Sequence, residues 1–135
     1  MSRDYQPAPR LTLDRHKLIQ ILGNLLSNAR HALREQTQSA RILTARIRTL
    51  AEGALAIEIE DSGIGIEAGV LARLFEFGFT TKKDGHGFGL HVSGILAKDL
   101  GGELSGHSDG RGRGARFSLR LPLAAADELA TRKRA

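Results

Sequence analysis

The segment Asp61-Ser62-Gly63-Ile64-Gly65-Ile66 directly follows an alternating apolar run, and about twenty residues later Gly85-His86-Gly87-Phe88-Gly89-Leu90 opens an amphipathic stretch. Packing alone does not require two glycine turns in this order. The first sets a carboxylate beside bare backbone. The second sets amides at a predicted helix start. A purine nucleotide uses both: an acceptor for its exocyclic amine and donors for its phosphates. The pattern points to nucleotide binding without a P-loop.

The 135 residues suit one domain with one core. There is no cysteine, which excludes disulfides and thiolate metal sites. No apolar run approaches a membrane span, and the start has no signal-peptide character. The net charge of +5 is read as a solvated, arginine-rich surface plus a site for one anionic ligand. Aromatic residues are scarce and not interleaved with basic ones, which argues against a nucleic-acid platform.

Residues 1–9, with Pro7 and Pro9, read as a linker or the remnant of an upstream segment, 10–122 as the domain, and 123–135 as a loose tail. Residues 10–13 are expected as a short edge strand. Asp14 caps a predicted helix running to about Gln36, with Leu18, Ile21, Leu22, Leu25, Ala29 and Leu33 as its apolar stripe. Residues 41–50 and 55–60 alternate as two strands of a hairpin through Gly53, with arginines facing glutamates. A short helix is expected over 68–75, a mobile loop over 76–86, and a helix from Gly87 to about Leu100, stopped by Gly101-Gly102. Strands near 103–107 and 115–121 close the sheet, with Phe117, Leu119 and Leu121 facing the core. Residues 109–114 read as a flexible hairpin turn. The fold class is α+β: a two-layer α/β sandwich whose mixed, mostly antiparallel sheet packs against about three helices.

On the long helix, Gln20, Asn24, Asn28, His31 and Glu35 share one face away from the apolar stripe. Asparagine is a poor helix former. Two of them one turn apart fit a role as hard, neutral oxygen donors toward Mg²⁺ that already carries phosphate oxygens and water. Asp61 is placed to accept from an adenine amine, with Gly63 and Gly65 letting backbone approach the ring and Ile64 and Ile66 touching the base. Three of the five phenylalanines fall in Phe75-Glu76-Phe77-Gly78-Phe79-Thr80-Thr81-Lys82-Lys83. That composition suggests either a lid carrying Thr80, Thr81 and Lys82 to phosphate oxygens or a satellite apolar cluster. Amides of Gly87, Phe88, Gly89 and Leu90 would hold the β- and γ-phosphates, with His86 in the same turn. His16, His91 and His107 show no metal-ligand spacing.

These segments, in this order, resemble the catalytic, ATP-binding domain of sensor histidine kinases, part of the Bergerat-fold group that includes gyrase and the mismatch-repair ATPases. Asn24-Leu25-Leu26-Ser27-Asn28-Ala29 resembles the N box, Asp61 to Ile66 the G1 box, Phe75 to Lys82 the F box, Gly85 to Leu90 the G2 box, and 112–122 the closing segment. The resemblance covers about residues 10–122. It implies ATP and Mg²⁺ as cofactors, Asn28 as the metal ligand, Asn24 as a support for metal and phosphates, and Asp61 as the adenine reader. Residues 79–90 (Phe79, Thr80, Thr81, Lys82, Gly85, His86, Gly87, Phe88, Gly89 and Leu90 among them) would form the lid and phosphate grip.

It further implies γ-phosphoryl transfer to a histidine on a separate dimerisation segment, with a response regulator downstream. The setting would be cytoplasmic, in a parent open to anchoring in the inner membrane, and the chain itself would be monomeric, without nucleic-acid or membrane contact. Hydrolytic members of the group carry glutamate at the first N-box position. Asn24 cannot be a general base, so poor hydrolysis is expected. Two departures stand out: Ala115 where the closing box often has threonine, expected to remove a polar contact near the phosphates, and His31 where many kinases have lysine. An anti-sigma-factor-type serine kinase and a degenerate nucleotide-sensing module are the alternatives.

Overall fold

The computed structural model describes residues 2–5, 14–37, 40–50, 53–76 and 89–122. The expected strand at 10–13, the lid and most of the second glycine turn, and the tail from 123 lie outside the described residues.

Eight elements follow in order: β1 (Ser2–Tyr5), α1 (Arg15–Glu35), β2 (Leu43–Leu50), β3 (Ala54–Asp61), α2 (Ala68–Leu71), α3 (Gly89–Asp99), β4 (Glu103–His107) and β5 (Ala115–Pro122). The sheet order is β1-β2-β3-β5-β4. β2, β3, β5 and β4 pair antiparallel, and β1 adds in parallel to β2 at the edge. The helices pack on one face, so the α+β sandwich expected from the sequence is present. β1 is a correction: its four residues fall in the stretch read as a linker, and so short a polar segment carries no alternation to betray a strand.

The long helix begins where the cap residue predicts. The Asp14 carboxylate accepts from the amides of His16 (3.0 Å) and Lys17 (3.2 Å). Ile21, Leu25 and Ala29 are its buried stripe, packed on Ile59 of β3, Ala97 of α3, and Phe117, Leu119 and Leu121 of β5. α3 ends in a double glycine closure, in which the Gly102 amide donates to the Ala97 carbonyl and the Gly101 amide to that of Lys98, both at 2.9 Å. The predicted helix at 68–75 is cut short. α2 is a single turn, continued by tighter bends such as the Arg73 amide on the Val70 carbonyl at 2.9 Å.

The strand alternation fixes where the site goes. Ala45, Ile59 and Phe117 form one row on the helix face, and the next row toward the sheet's end is Leu43, Asp61 and Ala115. Asp61 lies two residues beyond Ile59, so its carboxyl leaves the sheet on the core side. The opposite face carries Thr44, Glu60, Arg116 and His107 in one row across four strands. Arginine and glutamate do pair between β2 and β3, but diagonally: Arg46 with Glu60 at 3.0 Å and Arg48 with Glu58 at 2.6 Å. Partly exposed, such pairs contribute about 0.2–1 kcal/mol each.

Candidate functional site

Asp61 is the last residue of β3 and only 5% exposed. Its carboxylate accepts the Gly63 amide at 2.8 Å, and Ala115 stands opposite it in the β3–β5 pairing. Burial pushes its pKa up from the ordinary 3.8, with a smaller push from Glu60, against backbone hydrogen bonding, that of Gly63 first, which pulls it down. Among the described residues no basic side chain pairs with it. An acceptor held by a backbone amide and left without a cation is suited to a neutral donor such as an exocyclic amine.

The turn after Asp61 is bound on two sides. On one, Gly63 lies against Ala32 of α1, and the Ile64 amide donates to the Ala32 carbonyl at 3.3 Å. Gln36, buried at the end of α1, donates its side-chain amide to the Ser62 carbonyl at 3.4 Å. Ser62 turns its hydroxyl to the segment leading into β2, donating to the Ala40 carbonyl and accepting from the Ile42 amide, both at 2.7 Å. On the other side stands the β4–β5 connection. The Gly112 amide donates to the Ile64 carbonyl at 2.6 Å, and Gly65, at φ +74°, packs so closely on the Gly110 carbonyl that a side chain there has no room. The Ile66 amide donates to Ser108 Oγ at 3.0 Å, and Arg111 pairs with Glu67 at 3.2 Å. The stretch expected to be a flexible turn is therefore packed as the back wall of the glycine turn. Local sequence held no sign of this, because the contact spans about 45 residues.

The polar flank of α1 forms the other wall. Asn24 Nδ2 donates to the Gly89 carbonyl at 3.1 Å and to Ser93 Oγ at 2.8 Å, tying the helix to the first turns of α3. Ser93, 0% exposed, is a residue that sequence reasoning missed; its signal was a serine on the buried stripe of α3. Asn28 and His31 follow on the same flank, both half-buried, while Gln20 and Glu35 are exposed. Ile64 keeps 39% exposure, but Ile66 and Leu90, both expected at the ligand, pack against the core. Phe75 belongs to the core as well, edge-on to Phe117 with ring centroids 6.4 Å apart. Phe79, Thr80, Thr81, Lys82, Gly85, His86, Gly87 and Phe88 lie outside the described residues.

Ala115 lies opposite Asp61 and is 7% exposed, so its methyl stands on the core face beside that carboxylate-bearing residue. A cavity of about 370 Å³ opens at this end of the sheet, lined by Thr44, Glu60, His107, Arg113 and Arg116. Of the predicted site residues that are described, only Asp61 borders it.

The geometry thus joins an asparagine-bearing helix flank, a carboxylate-ended strand and a glycine-led helix around one region. Residues 13–125 match the family of histidine kinase-, DNA gyrase B-, and HSP90-like ATPases. The chain belongs to this family. Similar proteins include the sensor protein TdiS of Thauera aromatica, 36% identical over 116 residues, covering 85% of this chain and 21% of its own length. The two-component sensor PprA of Pseudomonas aeruginosa is 40% identical over 116 residues, covering 83% of this chain and 12% of its own. The chain therefore spans about a fifth or less of these two relatives.

Among solved structures, full-length ShkA in complex with AMPPNP superposes with a TM-score of 0.71 at 26% identity, over 90% of this chain and 25% of that one. The mycobacterial sensor histidine kinase MprB superposes with a TM-score of 0.73 at 22% identity, over 90% of this chain and 80% of that one, a likeness of fold. Within that family the chain resembles the ATP-binding domains of sensor histidine kinases. No helix among the described residues is long and apolar enough to cross a membrane.

Proposed function

We propose that this domain binds Mg²⁺-ATP and donates the γ-phosphoryl group to a histidine imidazole on a separate dimerisation segment of a two-component sensor kinase, on the cytoplasmic side where ATP is available, with a response regulator receiving the phosphoryl group next. The observation that carries this is Asp61: a buried carboxylate, held by the Gly63 amide and lacking a cationic partner among the described residues. It accepts from the adenine amine. Ile64 offers its exposed side chain to the ring, and the turn formed by Gly63 and Gly65 keeps the base edge against backbone.

The α1 flank fits the metal that such a nucleotide carries. Mg²⁺ in nucleotide sites takes only one or two protein oxygens, the rest coming from phosphates and water. Asn28, half-buried one turn beyond the Asn24 brace, supplies one neutral oxygen of that kind. When bound, Mg²⁺ neutralises phosphate charge in the transition state. Asn24 orients the start of α3 through Gly89 and Ser93, and Gly85 to Leu90 grip the phosphates, with Phe79 to Lys82 closing over them. In the transfer itself an imidazole nitrogen attacks the γ-phosphorus in line, the P–N bond forms as the bond to the β-phosphate oxygen breaks, and ADP leaves. Asn24 has no basic site to activate water, so hydrolysis stays slow.

Mixing the chain with Mg²⁺-ATP and a separate phosphoacceptor domain is the direct test. Acid-labile, base-stable phosphohistidine on the acceptor is expected. Tight nucleotide binding without transfer, or phosphoserine on a protein antagonist instead, would replace this reading with a sensor module or a serine kinase.

A further inference from the structure

Ser108 follows β4 directly and is half-buried between the two turns. A serine hydroxyl has one proton to give and two lone pairs to fill, and here all three are used. Ser108 Oγ donates to the Gly114 carbonyl at 2.6 Å and accepts from the Ile66 amide at 3.0 Å and the Gly110 amide at 3.3 Å.

The Gly114 carbonyl and the Ala115 amide belong to one planar peptide unit. One end of that unit is held by Ser108, and the other lies directly across from Asp61 in the β3–β5 pairing. Gly114 stands at φ +71°, and any side chain there would run into the Asp61 carbonyl, so the unit sits against β3 with no slack. Ile66, bound to the same oxygen, is the far end of the turn that Asp61 begins. One hydroxyl therefore spans both ends: Ile66 directly, and Asp61 through a single rigid peptide.

We infer that Ser108 is a positioning residue for the purine-reading carboxylate, setting the aim of Asp61 and the shape of the Asp61–Ile66 turn without touching nucleotide. This rests on the reading of Asp61 as the adenine acceptor. A hairpin staple with no bearing on the ligand is the competing role. Amide hydrogen exchange on the nucleotide-free protein, with ATP and GTP affinities measured alongside, separates the two.

In Ser108→Ala the Ile66 and Ala115 amides should exchange about tenfold faster, the loss of one net hydrogen bond, while Leu104 and Leu119 in the β4–β5 ladder keep their protection. ATP affinity should fall about two- to tenfold and GTP affinity hardly at all, so the preference for adenine narrows. Ser108→Thr keeps the oxygen and should match the wild type in both measurements, which also covers the case of an alanine variant that does not fold. Unchanged exchange at Ile66 and Ala115, or loosening in the threonine variant, overturns the clamp whatever the chain binds. Faster exchange with an unchanged ATP-to-GTP ratio overturns the positioning role and leaves a staple. A wild-type chain that binds no ATP overturns the function proposed above and this inference with it, on a measurement that involves no variant.

Discussion

A carboxylate that burial makes less acidic is a cost to the fold, and Asp61 is such a group. The folded state prefers its protonated form. The stability it contributes is fully present below the ordinary pKa of 3.8 and is lost as pH rises through the raised folded value. At neutral pH the ionised side chain works against folding and in favour of binding. The nucleotide-free Asp61→Asn variant should therefore melt at or above the wild-type temperature at pH 7, with the difference closing in acid, while ATP affinity drops about tenfold or more because the acceptor pattern is spoiled. Thermal melts across pH 3–8 beside a binding titration would read both; a variant less stable at pH 7 that keeps its affinity contradicts the assignment. The placement of this residue was legible, since alternation through Ile57 and Ile59 carries Asp61 to the core face. Its neighbour Ala115 was not, because which residue lies across the sheet depends on a strand register that 53 residues of intervening chain do not spell out.

The elements that could be read are those whose own periodicity reports their burial. α1 showed its stripe, its Asp14 cap and its polar flank. β2, β3 and β5 showed alternation, and α3 showed its glycine stop. β1 and the 108–114 turn had no period to show, and their places come from contacts with distant backbone. The polar flank of α1 was visible as an oddity, two asparagines where better helix formers serve, but part of the reason is structural: Asn24 joins α1 to α3. Removing its side chain deletes two hydrogen bonds and leaves the hydroxyl of the fully buried Ser93 without this donor. Asn24→Ala should cost about 1–3 kcal/mol in denaturant unfolding. Pairing it with Ser93→Ala should return part of the loss, since a site with neither polar group has nothing left unsatisfied. Strict additivity of the two changes would show that the amide and the hydroxyl do not depend on each other.

At the scale of the whole domain, the sheet's two faces divide the labour. One buries the core and ends in Asp61; the other is a polar array of arginines, glutamates and serines. The nucleotide reading ties α1, the 61–66 turn and α3 into a single ligand, so binding should be felt as stability by all three at once. A ligand that binds only the folded state adds RT ln(1 + [L]/Kd), about 2.7 kcal/mol at a hundredfold excess over Kd. For a domain of this size that amounts to a rise of roughly 10 °C in melting temperature. Mg²⁺-ATP should give that rise in the wild type, GTP much less. Asp61→Asn should stay folded yet lose most of the rise at the same nucleotide concentration. Because the variant's own fold is not weakened at neutral pH, the lost shift reads affinity alone. An equal shift for ATP and GTP, or a full shift in Asp61→Asn, would mean that the nucleotide is held by its phosphates and that the carboxylate buried at the end of β3 reads nothing.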